Sequence, residues 1–477
     1  MKKTVCLLLC LTFFLTVSAC SGKSPEPVEQ TSETTEQASE TAALYSTELP
    51  PKTFGGEPFL ILTYQDANAA YTTLETTADE QMPIYEYTKY TTTTKICEQY
   101  RIDLIESVVA DNMTSFSNTI LSGDDFYALG NCRCTVAYQL YQQGLVISYD
   151  RIPNLNLDAP YWDKEINECL SVQGDHYVAV GKYNMSTYGF THTLLFNKGM
   201  ITSYGFDNLY GTVTDRNWTF EEMLTMMNTV HSIDNEGETL VYGYLAHAKE
   251  VLPSFWIAAG VTSVSKDSER DIPYLSAGSQ RFSDVFDTVY SMLWDTGNWM
   301  VVKTGLDVPE ECINTFASNK SLFMDCTFDI LYRKMRMYDG YGIIPYPMQD
   351  ADLQRGEYSS RVEYYIPAIV PRTTGDLDRT GYILEVLNCE FANYVLPVYY
   401  ERCLLRRSAI DTESAEMLEY IFDHRVIDIG DTTLNGKIRD GIFEKMFRSN
   451  NRNLASQISN LQTVMEEFVA GFPQKTK

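Results

Sequence analysis

The start of the body alternates short apolar runs with helix-like segments, and this alternation constrains the fold most strongly. The runs "PFLILTY" (58–64), "RIDLIES" (101–107) and "DFYALG" (125–130) predict three strands. Residues 84–100, and then "SFSNTILSG" (115–123), predict the helices between them. Strand–helix–strand repeats form parallel sheets with right-handed crossovers, so we expect an α/β fold.

Polar residues follow the predicted strands at the positions where such a sheet binds ligands. Tyr64 and Asp66 come at the end of the first strand, and Asn131 and Arg133 follow the third. In open α/β sheets, ligands bind in the crevice beyond the carboxyl ends of the strands. These four residues are therefore candidates for ligand contacts.

The rest of the chain continues the mixture of strands and amphipathic helices. "HYVAV" (176–180) and "HTLLFN" (192–197) predict strands. Thr219 followed by Glu222 is a capping-box signal that predicts a helix over the apolar stripe that follows. The stretch "DTESAEMLEYIFDH" and the three-to-four spacing from Leu454 to Phe468 predict two further helices.

The amino terminus has the layout of a secretory signal, with Lys2 and Lys3 before an apolar run that ends in small residues and Cys20. The apolar run is shorter than the roughly 20 residues that a transmembrane helix needs. "VSAC" (17–20) resembles the lipobox of bacterial lipoproteins, which implies cleavage of a 1–19 signal peptide and acylation of Cys20. The alternative is an ordinary cleavage site with an incidental cysteine.

Residues after Cys20 are rich in Ser, Thr, Glu, Gln and Pro. Such a segment buries too little apolar surface to offset its ordering entropy, so we expect a disordered tether over 20–54. About 420 residues remain, enough for two domains.

Composition excludes several functions. A net charge of −27 gives nucleic-acid binding no electrostatic basis, and the acidity indicates solubility or, alternatively, suits a cationic ligand. No zinc-hydrolase, nucleophile-elbow or phosphate-loop motif occurs, and free thiols are the preferred interpretation of the body cysteines. We therefore expect no enzyme, no metal and no cofactor.

Further stretches resemble the extracellular solute-binding proteins (family 1-like, sugar-binding type) of ABC transporters. They occur in the expected order: "GDDFYALG", "LLFNKGMITSYGF", "NWTFEEMLTMM", "FASNKSLFM", "GIIPYPMQD" and "IPAIVPRTTGD". The resemblance implies a two-lobed, Venus-flytrap fold of class II topology. It also implies an amino-terminal lobe of 55–183 plus 345–397 and a carboxyl-terminal lobe of 184–344 plus 398–477.

The same resemblance adds three candidates to the four strand-end residues. Asp125 precedes the third strand, Trp256 would be an aromatic sugar platform, and Asp325 lies where the family chain passes the cleft. Six of the seven candidates have a simpler alternative. Core or interlobe packing explains Tyr64 and Trp256, a turn explains Asp66, Asp125 and Asp325, and a surface ion pair explains Arg133.

These observations predict a lipid-anchored, extracytoplasmic solute-binding protein that delivers a small ligand, an oligosaccharide or similar polyol, to the permease of an ABC importer. Two alternatives stay open. One is a surface glycan-binding lipoprotein or sensor subunit without a transport role, and the other is a glycoside hydrolase.

Overall fold

Two β-sheets organise the chain. The computed structural model describes residues 44–65, 71, 73–74, 81–110, 112–302, 310–335, 340–350, 357–405 and 411–473. The predicted lipidation residue Cys20 and the predicted ligand residue Asp66 lie outside these residues.

The elements alternate along the chain as the opening pattern predicts. The first part forms β1 (Glu57–Tyr64), α1 (Ile84–Tyr100), β2 (Ile102–Val109), α2 (Asn112–Leu121), β3 (Leu129–Asn131), α3 (Cys134–Gln142), β4 (Val146–Ile147) and α4 (Lys164–Leu170). The middle part forms α5 (Ser186–Gly189), β5 (His192–Asn197), α6 (Lys198–Tyr204), α7 (Leu209–Thr214), α8 (Phe220–Val230), β6 (Ser232–Ile233), β7 (Thr239–His247), α9 (Ala248–Ala258), β8 (Val264–Asp267), β9 (Ile272–Leu275), α10 (Gln280–Leu293), β10 (Trp299–Val302), α11 (Glu310–Ala317), β11 (Ser321–Thr327), α12 (Phe328–Arg333) and β12 (Tyr341–Ile344). The last part forms β13 (Ser360–Arg361), β14 (Ala368–Pro371), α13 (Leu377–Val398), α14 (Thr412–Asp423), β15 (Arg425–Val426), α15 (Glu444–Arg448) and α16 (Ala455–Ala470).

The two sheets take their strands from different parts of the chain. The first sheet has the order β2-β1-β3-β14-β4, in which β1 is parallel to β2 and β3 while β14 is antiparallel to β3. The second has the order β10-β7-β11-β5-β12, with β7 parallel to β10 and β11. The late strand β14 therefore returns to the first sheet, which makes that sheet discontinuous in sequence.

Both faces of each sheet are buried. On β1, Ile61 belongs to one apolar cluster and the next residue, Leu62, to another. On β5, Leu194 and Leu195 divide between the same two clusters. Because neighbouring side chains on a strand point to opposite faces, each cluster takes one face of each sheet.

Two chain segments cross between the sheets side by side. Residues 184–191 lead into β5, and residues 362–367 lead back into β14. Thr191 forms an antiparallel bridge with Val362, and the backbone N–H of Glu363 donates to the carbonyl of Phe190 at 3.1 Å. The two segments therefore form a paired connection.

Three predictions about elements need correction. "HYVAV" is not a strand: Ala179 bridges Ala368, while the side chain of Asn167 bonds both backbone groups of Val180. The third strand, β3, starts later than predicted because residues 124–126 form an exposed loop. Residues 44–54, predicted as part of the tether, lie against α13 instead.

No helix in the part of the chain that the structure describes has the length and apolar character required to span a membrane. The seven cysteines whose thiols are described are Cys97, Cys132, Cys134, Cys169, Cys312, Cys326 and Cys389, and each is a free thiol.

Candidate functional site

The carboxyl ends of the parallel strands in both sheets lie next to the crossing segments. In the first sheet, β3 ends at Asn131, which pairs with Ala368 at the start of β14. In the second sheet, β11 ends at Thr327, which pairs with His192 at the start of β5. Each crossing segment thus connects one carboxyl edge to the other. The region between these edges is the candidate site, because ligands bind at such edges in α/β sheets.

Arg361 is the centre of a buried ionic cluster on the side of the second sheet. Its Nε and Nη2 donate to the two oxygens of Asp431 at 2.6 and 2.8 Å, and its Nη1 donates to Glu250 at 2.5 Å. Arg439 adds a longer contact of 3.4 Å to Asp431. A buried charge is tolerated when it is paired in this way, so the cluster ties α9, β13 and the segment after β15 together.

His192 extends the cluster into the sheet. Its Nδ1 lies 2.9 Å from Asp325 on β11, which also accepts a hydrogen bond from the hydroxyl of Tyr346. Its Nε2 lies 3.5 Å from Glu363 and 3.0 Å from Nη1 of Arg361.

The guanidinium favours a neutral His192 ring, whereas the carboxylates favour a charged one. Burial is the largest effect and lowers the pKa of His192, but the carboxylates of Asp325 and Glu363 together raise the pKa to about 9. The raised pKa predicts a charged ring at neutral pH with Nε2–H toward Glu363, whereas the 3.0 Å contact with Nη1 of Arg361 suits a neutral ring in which Nε2 accepts.

His192, Glu250 and Glu363 also satisfy the spacing of a metal site, since one ligand atom from each lies within 4.8 Å of the others. However, Nη1 of Arg361 lies within hydrogen-bond distance of both Glu250 and His192. The guanidinium therefore supplies the positive charge that a metal ion would bring. We assign no metal to this cluster.

The partly exposed rim of the site carries aromatic and charged groups. The guanidinium carbon of Arg133 lies 4.8 Å from the ring centroid of Tyr64, a cation–π contact at the edge of the first sheet. On the other side, Nζ of Lys249 lies 3.1 Å from Glu250. Glu363 on the crossing segment keeps 18% of its side chain exposed. These groups offer both donors and acceptors to a polar molecule.

The structure brings together three of the residues predicted at strand ends. Tyr64 and Arg133 contact each other, while Asn131 is fully buried. The side chain of Asn131 donates to the hydroxyl of Thr63 at 3.1 Å and accepts from the hydroxyl of Tyr183. Asn131 thus supports the edge from inside, and Tyr64 and Arg133 form its surface.

The three candidates taken from the resemblance lie in different surroundings. Asp125 is exposed and accepts the backbone N–H of Gly375 at 2.9 Å. Trp256 is 2% exposed, and its ring packs between Phe282 and Phe443 at 5.3 and 5.0 Å. Asp325 is buried against His192. In this arrangement Trp256 presents no open face to a sugar, and Asp325 acts through His192. The role of each as a ligand contact stays a prediction.

The sequence analysis did not single out the residues that form the ionic cluster. These residues are His192, Lys249, Glu250, Arg361, Glu363, Asp431 and Arg439. A usable signal was present: Arg361 and Glu363 are charged residues inside the short apolar stretch that leads back to β14. Asp431 lies in "GDTTLNGKI" (430–438), a stretch whose spacing fits no phosphate loop and which carries no other recognised motif.

Comparisons with solved structures bear on this arrangement. M. tuberculosis UspC superposes with a TM-score of 0.58 at 12% identity, over 86% of this chain and 100% of that chain. The galacto-N-biose/lacto-N-biose I-binding protein of the ABC transporter from Bifidobacterium longum, in complex with lacto-N-biose, has a TM-score of 0.56 at 10% identity, over 88% and 99%. The GacH receptor of Streptomyces glaucescens, studied unliganded and with acarbose, has a TM-score of 0.55 at 12% identity, over 88% and 100%.

The chain has the two-lobed periplasmic-binding-protein fold. The predicted fold class, including class II topology, is confirmed. No protein-family model and no curated protein matches the chain. Identities of 10–12% establish the fold and leave the ligand open.

Proposed function

We propose that this protein is a solute-binding protein that captures a small carbohydrate between its two lobes. One observation carries the proposal: the carboxyl edges of two α/β sheets lie next to a pair of crossing segments and are lined by a polar, partly exposed rim. A molecule held between two such edges makes contacts that favour the closed arrangement of the lobes, which is the basis of hinge closure around ligands.

Two features support a carbohydrate. The rim combines the hydroxyl and ring of Tyr64 with the charged groups of Arg133, Lys249 and Glu363, and sugar hydroxyls bind to such groups. Two of the structurally similar proteins are a lacto-N-biose-binding protein and a receptor studied with acarbose.

The ionisation of Glu250 argues against one hydrolytic role for this residue, that of the general acid. Burial raises its pKa, but Lys249 and Arg361 overcome this and hold the pKa well below the usual range. A carboxyl group that stays charged in this way is a poor general acid for glycoside cleavage.

We further propose that Cys20 carries the lipid anchor, that the body lies on the extracytoplasmic face of the membrane, and that an ABC permease accepts the solute. The support is the signal-like amino terminus together with the ABC transporter named for the Bifidobacterium longum protein. Incorporation of labelled palmitate into the wild type but not into Cys20→Ala tests the anchor.

Calorimetric titration of the purified protein with maltose, maltotriose, lactose and lacto-N-biose tests the binding function. We expect saturable binding of at least one saccharide without product formation. Release of monosaccharide would instead show a hydrolase. Failure of all four, together with no co-purified small molecule in native mass spectrometry, would contradict the proposal.

A matched pair of variants tests the position of the site. Glu363→Gln should weaken binding of the saccharide identified above by about tenfold, since a hydrogen bond to a charged group contributes roughly 1.5–3 kcal/mol. The control is Glu98→Gln, an exposed carboxylate on α1 that does not line the groove between the two halves. Equal affinities of the two variants would place the site elsewhere.

A further inference from the structure

A hairpin outside the candidate site connects the two halves of the body. The first half is built on the sheet of β1–β4 and β14, and the second half on the sheet of β5, β7 and β10–β12. Strands β8 and β9 pair in antiparallel register from Val264–Leu275 to Asp267–Ile272, and the hairpin directly follows α9 of the second half. Its turn lies against residues 168–174, which belong to the first half because Tyr138 on α3 donates to the carbonyl of Leu170 at 2.7 Å. We name this contact the clasp.

Asp271 and Lys266 make the clasp. One carboxylate oxygen of Asp271 accepts from the hydroxyl of Ser171 at 2.8 Å and from the backbone N–H of Gly174 at 2.9 Å. Lys266 pairs with Asp271 and donates to the carbonyl of Glu168 at 2.5 Å and to Ser171 at 2.7 Å. The carbonyl of Asp271 accepts the N–H of Gln173 at 2.8 Å. Side chain and backbone thus both hold the hairpin.

Backbone strain is present on both sides of the clasp. Asp271 has a φ of 52° and Gln173 a φ of 58°, and both are non-glycine residues in the left-handed region. Such conformations cost free energy and persist where surrounding contacts impose them, often at sites that switch or clamp. Gln173 lies in the turn between the bridged residues Val172 and Asp175, and Asp271 ends the turn between β8 and β9, so these two turns set the backbone conformations of the contacting groups.

A groove beside the clasp gives the halves room to move. It has a volume of about 640 Å³ and is lined by Glu165 of α4 from the first half and by Ala258 and Gly260 at the end of α9 from the second. Rotation of the halves about the crossing segments would change the width of this groove. The same rotation would pull the hairpin away from residues 168–174 or press it against them.

We propose that the clasp fixes the angle between the two halves and thereby controls, from outside the site, how far the site can open and close. The consequence for solute affinity depends on the proposed function, whereas the control of the angle does not. Two other contacts could hold the angle instead: Phe468 of α16 packs at 5.6 Å from Tyr138, and Arg425 on β15 pairs with Asp163 at 2.9 Å.

Distances between the halves test the proposal. Spin labels introduced as unnatural amino acids at the exposed positions Glu98 on α1 and Glu236 between β6 and β7 report the angle by pulsed electron paramagnetic resonance. Asp271→Asn and Lys266→Met should broaden the distance distribution relative to the wild type. The control is Arg270→Ala, which removes an exposed ion pair to Asp267 within the same hairpin.

A stronger variant makes the result decisive. Replacing residues 268–271 by Asn-Gly closes the hairpin with a two-residue turn, keeps the Asp267–Ile272 pair and removes Asp271 altogether. A distribution that stays as narrow as that of the wild type in this variant would overturn the proposal. All distances are measured without saccharide, so failure of the binding function leaves this test unaffected.

Discussion

At the scale of single residues, Arg361 is the central cation of the buried cluster beneath the candidate site. It is buried on β13, directly before a crossing segment, and pairs with carboxylates from α9 and from the segment after β15. Removing one partner of such a network leaves an uncompensated buried charge, which is far more costly than the loss of a surface pair. The buried members of the cluster, Arg361, Glu250 and Asp431, are therefore a structural part of the candidate site.

The charge of His192 makes stability depend on pH. Its pKa rises from 6.5 to about 9 on folding, so the stabilisation is complete below pH 6.5 and disappears as the pH increases through 9. Between pH 7 and 9.5 the wild type should lose roughly 2–3 kcal/mol of unfolding free energy relative to His192→Gln. Urea unfolding at several pH values measures this difference.

His231→Gln is the control for that measurement. His231 lies between α8 and β6, where its Nδ1 is 3.1 Å from the carbonyl of Val241. This variant should follow the wild-type pH profile. A difference between wild type and His192→Gln that is constant with pH would show that the imidazole is neutral and accepts a hydrogen bond from Arg361.

At the scale of elements, residues 44–54 form a strap along α13. Tyr45 is near Asn393, Pro50 near Tyr382 and Lys52 near Asp378, so the strap runs antiparallel to the helix. Seven extended residues span about 23 Å, and fifteen helical residues span about 22 Å. The strap is therefore extended over its whole length, and the predicted tether joins the body at the carboxyl-terminal end of α13.

Asn393 fixes the end of the strap, since its amide group bonds both the N–H and the carbonyl of Tyr45 at 2.8 and 3.0 Å. Asn393→Ala should release the strap and accelerate tryptic cleavage after Lys52, with a local cost of about 1–2 kcal/mol. The exposed Asn460→Ala on α16 should leave the cleavage rate unchanged. If Asn393→Ala protects Lys52 from trypsin as well as the wild type does, the contacts of Pro50 and Phe54 are sufficient to hold the strap.

Elements with strong local signals were predictable from the sequence. Helices α1 and α8 and strand β5 have the bounds that their patterns indicate, and Thr219 caps α8 by accepting the N–H of Glu222. "HYVAV" has the composition of a strand, yet the amide of Asn167 takes its backbone hydrogen bonds. The local sequence pattern of "HYVAV" does not show that Asn167 takes backbone hydrogen bonds that a neighbouring strand would otherwise make.

The part of the candidate site that follows from the strand order alone could be predicted from the sequence. Tyr64 and Arg133 lie at the predicted edge because the ends of parallel strands share one edge. The partners of Arg361 come from positions 192, 250 and 431, and only the folded chain brings them together. Trp256 was chosen for its aromatic ring, but α10 and the segment before α15 enclose that ring.

At the scale of the whole molecule, the two lobes do not have separate hydrophobic cores. Ile61 of the first sheet and Leu195 of the second belong to one apolar cluster, and Leu62 and Leu194 belong to the other. Each cluster therefore extends through both halves of the body. Unfolding one half would expose apolar surface that the other half covers, which is unfavourable.

This continuity predicts that the body unfolds in one cooperative transition. Scanning calorimetry at pH 7 should give a single peak, with a calorimetric enthalpy of roughly 300 kcal/mol for a body of this size that equals the van't Hoff enthalpy. Far-ultraviolet circular dichroism and tryptophan fluorescence should give coincident melting curves, because Trp162 lies in one cluster while Trp218 and Trp256 lie in the other. Two resolved peaks would mean that the lobes fold independently. A continuous apolar core would couple the unfolding of the lobes, so two peaks would mean that only a flexible linker joins them.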